Sequence, residues 1–380
     1  MCAFRSGAGT VTLKVIQFLP SLRGGGVEVG TLEVAKALVE AGHQSLVVSA
    51  GGPMVERLEQ EGSIHIEWDL GKKSPLSFRH IWPLRRWLVE QQADILHVRS
   101  RMPAWIVYLA WKGMPEKARP RFMSTMHGLH SVSAYSEIMC RGERVIAVSN
   151  TVKDYIASHY PKTDMARVQV VNRGISDEEY PRDFCPEENW LMQWKETFPQ
   201  FNGKRLICLP GRLTRLKGHA YFLRLMQKLC QRFDDVHGIV VGSEDPKRQN
   251  YAEELYAQLK DMGLQDSVTF TGGRSDMKNI YSQSAMVLSL SSKPESFGRT
   301  TTEALSMGVP VVGFDHGGVG EQLQSLFPLG MVPCFDEDVL LNKVEALLNK
   351  PEKPKKNDCY LKSKMLAQTL AIYQELASEA

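Results

Sequence analysis

The stretch KPESFGRTTTEALSMGVPVVGF, residues 293–314, joins a buried strand read at 286–290 to a helix read as opening at Thr300, and the next strand begins at 309. Strand, loop, helix and strand within thirty residues is the grammar of a parallel α/β sheet. A helix N-terminus carries roughly half a positive charge and several N–H donors, which makes it a seat for phosphate. Glu295 and Glu303, eight positions apart, bring two carboxylates to the same joint, where they suit hydroxyls. Phe297 and Gly298 let the main chain come close to a bound group, since glycine has no side chain to fend it off. Gly308, Val309 and Pro310 end the helix. Thr300-x-x-Glu303 also reads as a capping box, in which Glu303 only satisfies the backbone of its own helix. The pattern alone leaves both readings open.

The same grammar runs along the whole chain. Strands are read at 14–19, 45–50, 94–98, 121–126, 144–149 and 167–171, then at 204–210, 237–242, 267–272, 285–291 and 309–314. At 380 residues the chain exceeds one ordinary core and fits two domains. Between the two sets of strands lies SDEEYPRDFCPEENWLMQW, residues 176–194, a polar, proline-bearing stretch read as the link between two doubly wound parallel-sheet domains. The expected organisation is a disordered leader at 1–12, a first domain at 13–180, a second at 181–355, and a terminal helix within 356–380 that packs back on the first domain.

Composition excludes several classes. Hydrophobic content of 43% and charged content of 23% are ordinary for a globular protein, and no run of eighteen apolar residues exists to cross a membrane. The N-terminus lacks an apolar core of signal-peptide length. Seven cysteines, at 2, 140, 185, 208, 230, 334 and 359, form no C-x-x-C pair and suit a reducing cytoplasm. A net charge of +3 is too small to imply nucleic acid. Its distribution is more telling. Arg79, His80, Arg85, Arg86, Arg99, Arg101, Lys112, Lys117, Arg119 and Arg121 are interleaved with Trp82, Trp87, Trp105, Tyr108 and Trp111. Basic residues with tryptophan on amphipathic helices fit docking on an anionic membrane surface. They equally fit a solvated helix face over a tryptophan-rich core.

Three further stretches sit where open α/β sheets bind ligands. LPGRLTRLKGHAYF, 209–222, follows a strand and precedes a helix, which puts Arg212 and Lys217 beyond the strand's carboxyl end, where two cations ask for an anion. FLPSLRGGGVEVGTLEVAKAL, 18–38, is again strand, glycine loop and helix, and Gly24, Gly25 and Gly26 let backbone approach a phosphate or sugar. It lacks the G-x-G-x-x-G dinucleotide fingerprint, and GAGT at 7–10 precedes its strand instead of following it, so an oxidoreductase is disfavoured. His127 follows a strand directly and neighbours Gly128, a position that favours a role at a ligand; His130 is the weaker candidate. Asp336, Glu337 and Asp338 read as a helix N-cap, and no metal is assigned.

With these residues in hand, the chain resembles the retaining GT-B glycosyltransferases of family 4 over nearly its full length. The motifs that carry the resemblance are GGGVE, the His127–Gly128 pair, PGRLTRLKG, VTFTGGRSDM and ESFGRTTTE, in that order. The resemblance implies two Rossmann-like domains facing across a cleft, a sugar nucleotide held mainly by the second and an acceptor held mainly by the first. It implies that Arg212 and Lys217 bind the donor diphosphate, Glu303 the ribose and Glu295 the transferred sugar. The amides of Phe297, Gly298 and Arg299 would line sugar and phosphate, Gly242 and Arg274 would border the nucleotide, Gly25 and Gly26 would approach the donor, and His127 would sit at the sugar's reacting face. NRGIS at 172–176 departs from the family's usual asparagine-glycine turn. A narrower resemblance, to enzymes of the lipopolysaccharide core, rests on GGGVEVGTLE, VRSRMPAWIVYLAWKG and STMHGLHSVSAYSEIM, and implies a glycolipid acceptor.

The expected chemistry is transfer of a hexose, UDP-linked by default, with retention of configuration, no cofactor and no metal. Departure of the diphosphate is eased by Arg212, Lys217 and the helix opening, and a donor phosphate oxygen takes the acceptor's proton. A retaining glycoside hydrolase using the two glutamates explains the carboxylates but not the cations. A nucleotide-sugar epimerase and a non-catalytic sugar-binding scaffold remain as rivals on the same fold.

Overall fold

A computed structural model of the chain describes residues 12–244 and 249–379. The leader read at 1–12 lies, but for Thr12, outside the described residues, as does the GAGT stretch. The chain divides into two compact units, Met1–Asn172 with Met365–Ala380, and Arg173–Lys364.

The first unit is built on seven strands: β1 (Lys14–Phe18), β2 (Gln44–Ser49), β3 (Ile64–Glu67), β4 (Ile95–Val98), β5 (Arg121–Met126), β6 (Arg144–Ala147) and β7 (Val168–Val170). They lie in the order β3-β2-β1-β4-β5-β6-β7, all parallel. Helices cover both faces, which is why the strands read as unbroken apolar runs. Neighbouring residues therefore enter different cores. Ile16 and Leu96 join the cluster formed with Leu84, Leu88, Ile106 and Val107, while Val15 and Ile95 join the one formed with Leu38, Ile372, Tyr373 and Leu376. The last helix, Lys362–Ser378, buries Met365, Thr369, Ile372, Tyr373 and Leu376, a stripe at helical spacing laid on that second face.

The second unit repeats the design with six strands: β8 (Arg205–Pro210), β9 (Val236–Val241), β10 (Val268–Gly272), β11 (Ser284–Ser289), β12 (Val311–Phe314) and β13 (Met331–Val332). Their order is β10-β9-β8-β11-β12-β13, again parallel. In each sheet the winding reverses once, between β1 and β4 and between β8 and β11. Loops at the carboxyl ends of such a reversal splay apart and leave a crevice.

Every strand read from the sequence is present, with ends shifted by at most two residues. Two edge strands were not legible. β3 is half exposed and alternates with polar residues, and β13 has only two residues. The helix read from Thr300 begins one residue earlier, at Arg299. The stretch 176–194 is not a free link. It enters the helix Glu188–Thr197, whose Trp194 is buried against Phe198 and Phe201, so it belongs to the second unit. Unit two accordingly starts at Arg173, eight residues before the boundary read at 180/181, and runs to Lys364. Its late strap stays attached because Asn357 bonds Ser306 Oγ at 2.8 Å and Lys355 N–H donates to Leu326 O.

Candidate functional site

The winding reversal of the second sheet gathers the charged residues singled out above. After β8 the chain turns through Gly211 at φ 145 and reaches Arg212, whose side chain is exposed and makes no ion pair among the described residues. A short 3₁₀ turn, Arg215–Lys217, then leads to Gly218 at φ 77 and the helix His219–Cys230. Gly218 is obligatory there: a Cβ would lie well inside contact with the Leu290 carbonyl, so the loops after β8 and β11 touch backbone to backbone. The close approach brings Lys217 Nζ to 2.7 Å from Glu295 Oε1. Ser291 Oγ donates to the same carboxylate oxygen, and His316 Nε2 donates to Ser291 O at 2.8 Å. Gly318 N–H holds the Glu295 carbonyl at 2.8 Å. Burial pushes the Glu295 carboxyl up, but the Lys217 ammonium, the Ser291 hydroxyl and His316 outweigh it and leave the group below its ordinary value.

Glu303 stands in the opposite condition. It lies within the helix Arg299–Ser306, 6% exposed, and accepts from Arg299 Nε at 3.0 Å, from the Tyr281 hydroxyl at 3.1 Å and from Tyr180. Burial is the largest influence here and carries the carboxyl above its ordinary value in spite of those donors. The capping-box alternative fails on this geometry, because Glu303 turns to Arg299 and two tyrosines. The helix is instead entered through Gly298 at φ 89, which supplies no side-chain cap. Around Gly298 two buried polar atoms lack a hydrogen-bond partner among the described residues, Thr301 Oγ1 and Gln322 Oε1. Phe297 is buried edge-on to Tyr360, and its carbonyl accepts from Gln322 Nε2 at 2.5 Å. Its ring is thus structural, which leaves only its backbone on the ligand side.

The neighbouring loops of the same edge carry the remaining candidates. Gly242, directly after β9, packs against the Gly211 carbonyl so tightly that no Cβ fits, and its N–H donates to Gly272 O at 3.0 Å. Arg274, after β10, is already engaged: it holds Asp276 through Nε at 2.9 Å and Nη2 at 2.5 Å and lies over the Trp194 ring. Trp190 Nε1 donates to the same carboxylate at 2.8 Å.

His127 and Gly25 lie in the first unit, on loops after β5 and β1, and Gly26 opens the helix that follows the second of these. Gly25 caps the helix Gly26–Glu40 with no side-chain bond, behind Gly24 at φ 116. His127 is half-buried. His130 is held low, to about 4, by burial and the Arg101 charge, so it stays neutral at physiological pH. Asp336 caps its helix by accepting from Val339 N–H at 2.9 Å. Sequence reading missed Ser291, His316, Tyr180, Tyr281, Asp276 and Trp190. His316 carried a local signal, since Asp315-His316-Gly317-Gly318 repeats the strand, glycine and helix pattern after β12, and so did Asp276, two positions from Arg274.

Comparison with known proteins agrees with this arrangement. Residues 193–362 match the family model for glycosyl transferases group 1, and residues 24–179 match that for Glycosyltransferase Family 4. The spore coat protein SA of Bacillus subtilis is 24% identical over 324 residues, covering 80% of each chain. A crystal structure of a glycosyltransferase from Rickettsia africae superposes with TM-score 0.86 at 27% identity, over 98% of this chain and 100% of that one. The Anabaena protein HepE, solved with UDP and glucose, gives TM-score 0.73 at 20% identity over 97% and 99%. Two parallel-sheet Rossmann-like units of this kind are the GT-B architecture.

Proposed function

We propose that the chain, whose two units match the models for glycosyl transferases group 1 and Glycosyltransferase Family 4, is a glycosyltransferase that moves a hexose from a nucleotide sugar to a glycolipid or saccharide acceptor with retention of configuration. The donor is UDP-linked by default, in keeping with the UDP bound by HepE. The acceptor class is that of lipopolysaccharide core assembly on the cytoplasmic face of an inner membrane, a reading that rests on the sequence resemblance.

The observation that carries the reading is the Lys217–Glu295 pair at 2.7 Å, set at the winding reversal beside the opening of the helix Arg299–Ser306. In the proposed reaction Lys217, Arg212 and that helix meet the charge that grows on the departing diphosphate. Preorganised charge of this kind acts only as the bond breaks, which is where catalysis needs it. Glu295 serves the hydroxyls of the transferred sugar and Glu303 those of the ribose, while Arg274 fixes the loop bordering the base. His127 is assigned to the sugar's reacting face on the sequence resemblance alone. The acceptor's proton passes to a donor phosphate oxygen.

A hydrolase built on the two glutamates gains no support. Glu295 is committed to Lys217 and Ser291, and Glu303 to Arg299 and two tyrosines, so neither stands free as a nucleophile. The test is to supply UDP-hexoses with a lipid-linked saccharide and read the new linkage by NMR. A product with the donor's anomeric configuration, formed only with acceptor, is expected. An inverted linkage, or release of free sugar at the same rate without acceptor, would refute the reading.

A further inference from the structure

The basic, tryptophan-bearing region divides in two in the folded chain. Trp87, Trp105, Tyr108 and Trp111 pack against the first unit's core, and Trp105 and Trp111 donate to the backbone carbonyls of Tyr135 and Pro120. These are structural. The segment 72–89 is different. Leu76 is 72% exposed and Trp82 67%, with Phe78 and Val89 also exposed, so four of the eleven large apolar side chains exposed among the described residues fall within fourteen positions.

Their spacing places Leu76, Trp82 and Val89 on one stripe, with Phe78 four positions before Trp82. The 3₁₀ helix Pro75–His80 runs into the helix Ile81–Gln91. Leu76, Arg79 and Trp82 repeat every three residues through the first, and Trp82, Arg86 and Val89 continue at four and three through the second. Ser77, Leu84 and Leu88 form the buried side. The stripe is also of one sign. From Leu70 to Val89 there is no Asp or Glu, against Lys72, Lys73, Arg79, Arg85 and Arg86. Asp69 neutralises Lys72 at 2.8 Å, and Arg85 bonds Ala110 O and lies 4.4 Å over the Trp82 ring. Lys73, Arg79 and Arg86 are exposed and make no ion pair among the described residues.

We propose that this stripe is the surface by which the protein rests on an anionic bilayer, with Leu76, Phe78 and Trp82 entering the interface and Lys73, Arg79 and Arg86 meeting lipid phosphates. A protruding indole among unpaired cations suits a headgroup layer, where the ring is half wet and the charges face phosphate. A protein partner would instead favour a drier, less basic patch. The proposal deepens the glycolipid-acceptor reading by naming how the chain reaches its acceptor, yet it is tested without turnover.

The experiment is co-sedimentation of the full chain with vesicles of phosphatidylcholine alone and of phosphatidylcholine with phosphatidylglycerol, at low and high salt. Binding to the anionic vesicles only, weakened by salt, with a blue shift of tryptophan emission, is expected. Trp82→Ser with Leu76→Ser should weaken binding about ten-fold, and each of Lys73→Glu, Arg79→Glu and Arg86→Glu at least about five-fold. Leu329→Ser, an exposed leucine of the other unit, should leave it unchanged. UDP binding, followed by thermal shift, should be the same in all variants, which separates this proposal from the transfer reading. Equal binding to neutral vesicles, no loss in the Trp82→Ser, Leu76→Ser variant, or a dimer in sedimentation velocity that this variant dissolves would each overturn it.

Discussion

The two sheets reverse their winding at equivalent places, and a cation stands at each reversal, but the two cations have opposite surroundings. In the second unit Lys217 crosses from the loop after β8 to Glu295 after β11 and stays partly exposed, and Arg212 of the same loop is exposed to solvent. In the first, Arg99 follows β4 and is 6% exposed, with Nε bonded to Gln17 Oε1 on β1 at 2.8 Å. Burial lowers the pKa of Arg99, opposed by the Tyr373 hydroxyl and the Glu33 charge. Next to it His97 lies between the Tyr373 hydroxyl at 2.6 Å and Thr125 Oγ1 at 2.7 Å, and burial holds it well below its ordinary value. Topology offers the same crevice twice. The partners decide whether its charge stays open to solvent or fastens the terminal helix.

The largest expected effect breaks the fastening side. Tyr373 is fully buried and ties the helix Lys362–Ser378 to His97 and Arg99. Tyr373→Ala removes a large ring and strips His97 and Arg99 of one buried partner each, leaving Thr125 and Gln17 to hold them, so stability should fall by about 3–5 kcal/mol. Urea unfolding measures it. The thermal shift produced by UDP should persist, since no residue of the Lys217–Glu295 pair touches this network; its disappearance would show that the two reversals are not separate devices.

Next in size is the ligand side. Lys217→Ala should lower turnover at saturating donor by about 10²–10³-fold, as expected for loss of one preorganised charge donor. Stability should fall as well, by about 1–3 kcal/mol, because the largely buried Glu295 carboxylate loses its cation and keeps only the Ser291 hydroxyl and His316. Wild-type turnover in this variant would end the assignment of Lys217 to the leaving group.

How much of this contrast could be read from sequence follows from range. The strands were legible because burial on both faces makes them continuous apolar runs, as in ILHV and VVGF. Lys217, Glu295 and Glu303 were legible because glycines punctuate strand, loop and helix around them. What tunes them was not. Tyr180 lies 123 positions from Glu303, and Lys217 lies 78 from Glu295, so no local pattern announces either contact. Arg274 was read as a neighbour of the base, and its bond to Asp276 was within reach of a local argument. Trp190, which completes that clamp from 86 positions away, was not. The same residue misled the domain boundary: charges and prolines around it suggested a linker, while Trp190 and Trp194, four apart and stacked at 5.0 Å, form the inner face of a helix.

A finer cut separates the two glutamates. Glu295 is held below its ordinary carboxyl value, so its contribution to stability is present above that value and is lost as pH falls through the depressed one. Glu303 is held above, so it favours the fold below the ordinary value and withdraws that support as pH rises through the raised one. The stability of the wild type relative to Glu295→Gln should therefore rise with pH across the acid limb, and relative to Glu303→Gln it should fall. Each difference should be about 1 kcal/mol, the size of one charged hydrogen bond less its desolvation. Urea midpoints between pH 3 and pH 7 resolve slopes of opposite sign. Parallel slopes would mean that the Lys217 pair does not distinguish the two carboxylates.

The smallest effect concerns the loop after β1. Gly25 has φ 164, extended backbone open to any residue, and an added Cβ would meet only the Glu28 Oε2 tip at 2.7 Å, which can swing away. Gly218 has no such latitude, since its Cβ would strike the Leu290 carbonyl at φ 77. Gly25→Ala should therefore change stability by less than about 0.5 kcal/mol and leave the UDP thermal shift intact. If the first unit's loop serves a ligand through bare backbone, the methyl group should still raise the KM for one substrate several-fold, because a close main-chain approach has no slack. Initial rates with donor and acceptor varied separately identify which. An unchanged KM for both would make this glycine loop a helix entry and nothing more, and the contrast between the two reversals would then be complete: ligand chemistry at one, structure alone at the other.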